Sequence, residues 1–372
     1  MDRFRYASYG QDIIFGPGSL SGLSAAVDAL KCRRVLLCAG HTMRSAGYLA
    51  AVETALGERL VAVVDRVLPH VQDTQLTGLL ALAREQEVDA VMGMGGGSPI
   101  GMAKAVASSL AAVPSVPVIA IPSTYAGSEM TPVYGVTHTD RLPPRKVTVS
   151  DPAIVPRLVL YDPELTFELS PEMTVSTGIN ALAHCIEALY SKTRNPLSTA
   201  AATAGVRHIF QALLRCYLNG HDLESRTEML LGSHLSGLAL ASVSMGLHHG
   251  LCHVLGGSAN LPHGIANCII LPHAIRFNAE TCASQLLPAA DAIGLPVNGS
   301  LSTAVVAQLD QEIGHLIGRM NLPRRLRDAG VGLKETDLPA LAQLAFQNRS
   351  VQNNPRPIEN VAQLEQLLRE AW

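Results

Sequence analysis

The feature that most constrains the fold is a change of hydrophobic pattern near the middle of the chain. In the first part, short apolar runs alternate with stretches of helical periodicity, and the runs fall at residues 34–38, 60–64, 90–94, 116–121 and 158–161. Each run reads as a buried strand. Strands that alternate with helices predict an α/β domain with a doubly wound, Rossmann-like parallel sheet.

From about Ser170 to the last residue the pattern is helical, with almost no strand signal. Ser170 suits an N-cap, Pro171 suits the first helical position and Glu172 suits the first turn. A chain of 372 residues also exceeds the size at which one hydrophobic core usually stops growing. We therefore predict an α/β domain over residues 1–162 and an all-helical domain over residues 163–372.

Charge and composition exclude some classes of partner. The formal net charge is −3 and no run of Lys or Arg stands out, which argues against nucleic acid and leaves small molecules. No apolar stretch of about 18 residues occurs and the N-terminus lacks the apolar core of a signal peptide, so we expect a cytoplasmic protein with no membrane contact. The seven cysteines form no CxxC pair, and we interpret them as reduced packing residues.

A glycine-rich turn lies between the third predicted strand and a helix that begins near Ile100. Glycines let the backbone approach a pyrophosphate, and a helix N-terminus offers unpaired N–H groups. A serine stands where the third glycine of GxGxxG belongs, so the turn alone also fits a purely structural role. A second polar cluster follows the next strand on the same edge of the sheet. The cofactor-binding set assigned here is Gly95, Gly96, Gly97, Ser98, Ser123, Thr124, Ser128 and Lys146.

The choice between NADH and NADPH stays open at this point. The first predicted strand ends in Ala39 and Gly40 without the carboxylate that often accepts the ribose 2′-hydroxyl, and Arg44 lies close by in sequence.

Histidines in the helical half have spacings that place them on shared faces. Asn180 and His184 are four residues apart in a helical stretch, and His249 and His253 repeat that spacing. His263 lies in a Pro-His-Gly bend that aims a side chain into a cleft. Any single one is more often a core residue, but together they make a metal site plausible. The neutral amide of Asn180 is nevertheless a far poorer ligand than a carboxylate.

These motifs, in this order, resemble the signatures of the iron-containing alcohol dehydrogenases. The resemblance implies a nucleotide-binding α/β domain, a helical domain and an active site in the cleft between them. In metal-dependent members an aspartate and three histidines hold the ion, and their positions here are Asn180, His184, His249 and His263. His253 matches a non-ligand histidine near the nicotinamide. The chain departs from the family at Asn180, and also at Gly101, where many members carry an aspartate.

Residues 124–132, Asn180 and residues 354–357 are similar to the maleylacetate reductase branch of that family, which is understood to work without bound metal. The resemblance implies that NADH or NADPH reduces maleylacetate, or a related keto-diacid, to 3-oxoadipate during the breakdown of aromatic compounds. It also implies a homodimer.

From this resemblance we expect catalysis by His253, His249, His184, His263 and Tyr125, and no metal. Asn180 and Arg356 are assigned to substrate binding, since a guanidinium pairs with a carboxylate in a bidentate manner. Two alternatives stay open. One is a zinc- or iron-dependent alcohol dehydrogenase, and the other is a nucleotide-binding protein of the same fold without turnover.

Overall fold

The computed structural model describes residues 3–110, 115–139 and 145–372, with Arg145 and Lys146 described only in their backbone. The chain divides into two compact units. The first, called the α/β unit below, is Ala7–Leu169. The second, called the helical unit, is Ser170–Trp372, with which the first residues of the chain are grouped.

A parallel sheet of six strands forms the centre of the α/β unit. Its strands are β1 (Asp12–Phe15), β2 (Val35–Ala39), β3 (Leu60–Val64), β4 (Ala90–Gly95), β5 (Val118–Pro122) and β8 (Leu158–Tyr161). Their order is β1-β8-β5-β4-β2-β3 and every pairing is parallel. The four inner strands are buried along their whole length, which explains why their sequences are continuous apolar runs. The predicted doubly wound sheet is confirmed.

Three strands were not predicted from the sequence. β1 is an edge strand of four residues without a fully buried position, so it carries little hydrophobic signal. β6 (Val133–His138) and β7 (Arg145–Ser150) form a separate antiparallel hairpin in which Val133 pairs with Ser150. Both hairpin strands are partly exposed and rich in polar residues, which hides the alternation from a sequence reading.

Helices cover both faces of this sheet. They are α1 (Leu23–Ala29), α2 (His41–Ser45), α3 (Tyr48–Leu56), α4 (Asp73–Glu85) and α5 (Gly97–Leu110). One apolar cluster joins β2, β4 and β5 to α1 and α3, and another joins the opposite face to α4 and α5. The helix predicted to begin near Ile100 begins three residues earlier, at Gly97.

The helical unit contains no strand among its residues. Its helices are α6 (Pro171–Tyr190), α7 (Pro196–Leu218), α8 (Leu223–Ser242), α9 (Leu247–Ala259), α10 (His263–Ala292), α11 (Ser302–Gly318), α12 (Leu338–Phe346), α13 (Arg349–Gln352) and α14 (Val361–Glu370). The predicted N-cap at Ser170 is confirmed, because its hydroxyl accepts the N–H of Met173 at 3.1 Å. Helix α6 is buried from Ile179 to Tyr190 and is the central helix for the site described next.

In the described part of the chain, no individual helix has the length and apolar character needed to cross a bilayer, although α8 and α9 meet that criterion jointly as a pair bent by 99°. All seven cysteines are free and buried, as the sequence predicts for packing residues. Burial raises the pKa of Cys38 and that of Cys268 to about 12, which keeps both as thiols.

Candidate active site

The glycine-rich turn joins β4 to α5 at the carboxyl edge of the sheet. Gly95 has a φ of 134°, a backbone conformation that residues other than glycine rarely adopt. A Cβ on Gly96 would lie 3.1 Å from the Thr124 side chain, and one on Gly97 would touch Ser128. The turn therefore presents bare backbone and the start of α5 to any group that occupies this edge.

The polar loop after β5 lies directly against this turn. The Ser123 N–H donates to the Gly95 carbonyl at 3.0 Å, and Thr124 contacts Gly96. Ser98 lies in the first turn of α5, and its hydroxyl accepts the N–H of His70 at 3.2 Å. The structure thus brings the predicted glycines, Ser98, Ser123, Thr124 and Ser128 together.

A buried lysine holds the loop that carries Ser128. Lys104 lies on α5, and its ammonium donates to the carbonyls of Ser128, Thr131 and Val133. Burial lowers its pKa to about 7, and the charge of buried Glu129 opposes that shift. Lys104 thereby fixes the position of Ser128 relative to the glycine-rich turn.

Two other residues of the predicted site are Tyr125 and Lys146. Tyr125 lies on the same loop but is completely buried in the α/β unit. Lys146 lies on β7, where its backbone pairs with Thr137, and its side chain lies outside the described residues.

Arg44 is an ion-pair residue rather than a free cation. Its guanidinium contacts Asp65 and lies 3.2 Å from Glu53. Asp65 directly follows β3, so a carboxylate does stand at the carboxyl edge of the strand next to β2. Asp65 was not predicted, because only the residues that follow β2 were considered for a ribose-binding carboxylate.

In the helical unit, four of the predicted histidines lie side by side. The rings of His184 and His249 stack with centroids 4.6 Å apart, and those of His253 and His263 stack at 5.7 Å. The His249 ring lies 6.3 Å from that of His253 and 6.4 Å from that of His263. His184 and His249 are 4% exposed, whereas His253 and His263 are exposed, so the cluster runs from the surface into the interior.

Close packing of helices makes this convergence possible. A Cβ on Gly264 would lie 2.0 Å from that of Ser176, so only glycine lets the start of α10 approach α6 this closely. The Pro262-His263-Gly264 bend consequently begins α10 next to the helix that carries His184.

Glu187, which the sequence analysis did not single out, accepts hydrogen bonds beneath this cluster. Its side chain is completely buried and contacts Nδ1 of His249 at 2.6 Å. Burial alone would raise the pKa of Glu187, but the hydrogen bonds that it accepts from His249 lower the pKa below its usual value. The carboxylate is therefore ionised at neutral pH.

A second chain of hydrogen bonds links the cluster to Asn180. Asn267 donates from Nδ2 to Oδ1 of Asn180 at 3.0 Å, and its backbone carbonyl lies 3.3 Å from Nε2 of His248. Burial, followed by the influence of His249, lowers the pKa of His248 to about 3, so that ring is neutral. Nδ1 of His184 and Nε2 of His249 are buried without a hydrogen-bond partner.

At the positions where metal-dependent members of the resembled family hold an ion, the donor set of this chain lacks the carboxylate. Asn180 brings no charge, and its amide oxygen already accepts a hydrogen bond from Asn267. Within the described residues, the only trio of His, Cys, Asp or Glu whose ligand atoms lie within 4.8 Å of one another is Glu187, His248 and His249. In that trio the Glu187 carboxylate is hydrogen-bonded to the imidazole of His249. Three backbone N–H groups also donate to the same carboxylate.

The motif at residues 354–357 is held by hydrogen bonds to α9 and α10. Asn354 accepts the N–H of Leu247 at the start of α9 and donates to Asn278 at 2.7 Å. Arg356 lies over the ring of Phe277, donates to the carbonyl of that residue and pairs with Glu280. These contacts fix the Arg356 guanidinium, and its assignment to substrate binding stays a prediction.

Sequence reasoning missed Glu187, His248, Asn267 and Asn354 as parts of the site. Glu187 gave one usable signal: it follows Asn180 by seven residues and His184 by three, which places all three on one helix face. A carboxylate in an otherwise apolar helical stretch is rarely buried without a partner. The partners of Asn267 and Asn354 are 87 and 76 residues distant, so no local pattern could reveal them.

Comparison with known proteins follows the same division of the chain. A family profile described as iron-containing alcohol dehydrogenase matches residues 10–163, and one described as the C-terminal part of the Fe-containing alcohol dehydrogenase family matches residues 174–372. The chain is 37% identical to a maleylacetate reductase of Burkholderia cepacia, over 97% of this chain and 96% of that one.

Solved structures give the same result. A maleylacetate reductase from Agrobacterium tumefaciens is similar with a TM-score of 0.87 and 32% identity, over 100% of this chain and 99% of that one. A maleylacetate reductase from Rhizobium sp. strain MTP-10005 is similar with a TM-score of 0.88 and 32% identity, over the same shares. These similarities cover both units.

Proposed function

We propose, from the premise that this chain belongs to the iron-containing alcohol dehydrogenase family, that it reduces maleylacetate to 3-oxoadipate with NADH or NADPH and without a metal ion. Family membership makes it an oxidoreductase. The choice of substrate rests on its maleylacetate reductase relatives, which match it over nearly their full length. With that substrate, its role lies in the breakdown of aromatic compounds.

The α/β unit is proposed to hold the dinucleotide. The bare backbone of Gly95 and Gly96 and the N-terminus of α5 suit a pyrophosphate, and the hydroxyls of Ser123, Thr124 and Ser128 are available for ribose and amide groups. When bound, the reduced nicotinamide supplies a hydride. The cofactor also helps to explain Gly96, because a Cβ there would press on Thr124 and fill the cradle.

Both NADH and NADPH remain in the proposal. The Arg44 guanidinium is paired with two carboxylates, which reduces its attraction for a 2′-phosphate. The Asp65 carboxylate at the same edge suits a ribose hydroxyl, and on these grounds we expect NADH to be the better reductant.

The histidines of the helical unit are proposed to complete the reaction. Maleylacetate is a conjugated keto-acid, so a hydride added to its carbon-carbon double bond leaves an enolate, and one proton then completes the product. The enolate oxygen needs donors, and a group of imidazoles supplies both hydrogen bonds and a proton. The observation that carries this proposal is the convergence of His184, His249, His253 and His263 beside an amide where an ion-binding carboxylate would stand.

One assay tests the proposal against its competitors. NADH and NADPH oxidation is followed with maleylacetate and, in parallel, with small aldehydes, before and after treatment with a strong chelator and with metal analysis of the purified protein. We expect turnover with maleylacetate that survives chelation in metal-free protein. Activity lost on chelation and restored by zinc or iron would identify a metal-dependent dehydrogenase. Tight cofactor binding without turnover of any keto-acid or aldehyde would identify a non-catalytic nucleotide-binding protein.

A further inference from the structure

The buried carboxylate of Glu187 receives hydrogen bonds from two sources. One source is the start of α9, where the backbone N–H groups of Gly246, His248 and His249 donate at distances of 3.0–3.3 Å. The other is a pair of side chains, the Tyr190 hydroxyl at 3.2 Å and Nδ1 of His249 at 2.6 Å. A negative charge at a helix N-terminus is favourable, so the burial of this carboxylate is compensated.

The hydrogen-bond network determines which nitrogen of His249 carries hydrogen. Three backbone N–H groups and the Tyr190 hydroxyl donate to Glu187, which favours its ionised form, and an ionised carboxylate can only accept, so Nδ1 of His249 must donate to it. The neighbouring ring of His248 leads to the same conclusion. Its Nε2 faces the carbonyl of Asn267 and must donate, which leaves its own Nδ1 as an acceptor 3.3 Å from Nδ1 of His249.

Both neighbours of Nδ1 in His249 are thus acceptors, and its other nitrogen is left unused. Nε2 of His249 is buried and has no hydrogen-bond partner. A buried nitrogen without a partner is costly unless a ligand or water meets it. The His249 ring as a whole lies beside the rings of His184, His253 and His263, where the proposed reaction takes place.

We propose that Glu187 is a positioning residue for this reduction: it fixes the His249 ring with hydrogen on Nδ1 and leaves Nε2 as the nitrogen that meets the substrate. The proposal rests on the proposed function for the identity of the substrate, but the state of the ring does not depend on it. Glu187 also binds the start of α9, so its loss affects stability as well as catalysis, and the test must separate the two effects.

The first measurement uses the native protein without substrate. Nitrogen-15 NMR of histidine-labelled protein, with His249 assigned by comparison with His249→Asn, reports which ring nitrogen carries hydrogen. We expect hydrogen on Nδ1 and a bare Nε2 in the neutral ring. A neutral His249 with hydrogen on Nε2 overturns the proposal, whatever substrate the enzyme uses.

The second measurement uses Glu187→Gln. The amide can still accept backbone N–H groups through its oxygen, but its NH2 group then faces Nδ1 of His249 and favours hydrogen on Nε2. We expect kcat to fall by about 10- to 100-fold, the range observed when the partner that orients a metal-bound histidine is lost, while the KM for NADH stays unchanged. Glu187→Asp keeps a group that only accepts, so it should retain the Nδ1–H form and recover part of kcat even if its stability is lower.

The helical unit contains a matched control. Glu228 contacts Nδ1 of His208 at 2.5 Å between α8 and α7, outside the cluster. Glu228→Gln removes the same kind of pair and should leave kcat and the His249 spectrum unchanged. If Glu187→Gln keeps both the Nδ1–H form and full kcat, Glu187 has only a structural role. If the native spectrum agrees but maleylacetate is not reduced, the proposed function fails and the assignment of the ring stands.

Discussion

The α/β unit and the helical unit each carry a candidate site, and the two sites are built in opposite ways. The α/β unit removes side chains: Gly95 and Gly96 leave the backbone without side chains at the end of a strand that is otherwise apolar. The helical unit buries polar side chains instead, and ten of the thirteen histidines follow Ser170. The reason is chemical: a dinucleotide site needs space and backbone dipoles, whereas proton transfer needs side chains whose partners are fixed.

Removing an exposed imidazole tests the helical half of this comparison. His253→Ala should lower kcat roughly 100-fold or more, the usual contribution of a group in acid-base catalysis, with little change in the KM for NADH. His253 is exposed, so the variant should remain as stable as the native protein. Steady-state kinetics with NADH and maleylacetate measure both constants.

His315→Ala is the matched control, because His315 is a surface residue of α11 with a side chain that is 72% exposed. It should leave both constants unchanged. An unchanged kcat in His253→Ala would remove that residue from the mechanism and reduce the contrast between the units.

Acid should destabilise the helical unit before the α/β unit. Burial lowers the pKa of His248 to about 3 and those of His234 and His273 to about 4. An unfolded chain binds protons at these residues below about pH 6.5 while the native chain does not, so this stability is fully present above pH 6.5 and is lost as the pH falls toward 4. At pH 5.5 each of these buried imidazoles lowers the free energy of unfolding by on the order of 1 kcal/mol relative to its value above pH 6.5.

Thermal unfolding between pH 7.5 and 5, followed by hydrogen exchange, measures this effect and locates it. We expect exchange protection to fall first in α8, α9 and α10. Equal loss of protection in the sheet strands would show that the buried histidines do not set the acid sensitivity.

The smallest expected effect comes from filling the glycine cradle. Gly96→Ala places a Cβ 3.1 Å from Thr124 and over the proposed pyrophosphate position. NADH affinity should fall about tenfold, or about 1.4 kcal/mol, while kcat at saturating cofactor stays close to native. Titration of NADH by fluorescence or calorimetry gives the dissociation constant.

Gly78→Ala in α4 is the control, because a Cβ there meets no atom within 4 Å. It should leave NADH affinity unchanged. If Gly96→Ala also binds NADH normally, the pyrophosphate lies elsewhere and the bare turn has only a structural role.

Local patterns in the sequence were enough to predict the parallel sheet and the helical second half, and to single out four histidines whose rings lie near one another. Continuous apolar runs such as that of β5, and the N-cap at Ser170, are local signals of period and capping, and local signals can be read from a single chain. The edge strand β1 and the hairpin were not predicted, because their half-exposed residues depend on neighbours for their conformation.

The partner of each polar group, by contrast, depends on the three-dimensional fold. The sequence does not reveal that Arg356 contacts Phe277 and Glu280. Nor does it reveal that Glu187 accepts five hydrogen bonds, one of them from His249. The physical reason is that hydrogen bonds act over about 3 Å in space and do not depend on separation along the chain. Residue types follow from the sequence, but the state of an imidazole follows from the atoms that the fold places beside it.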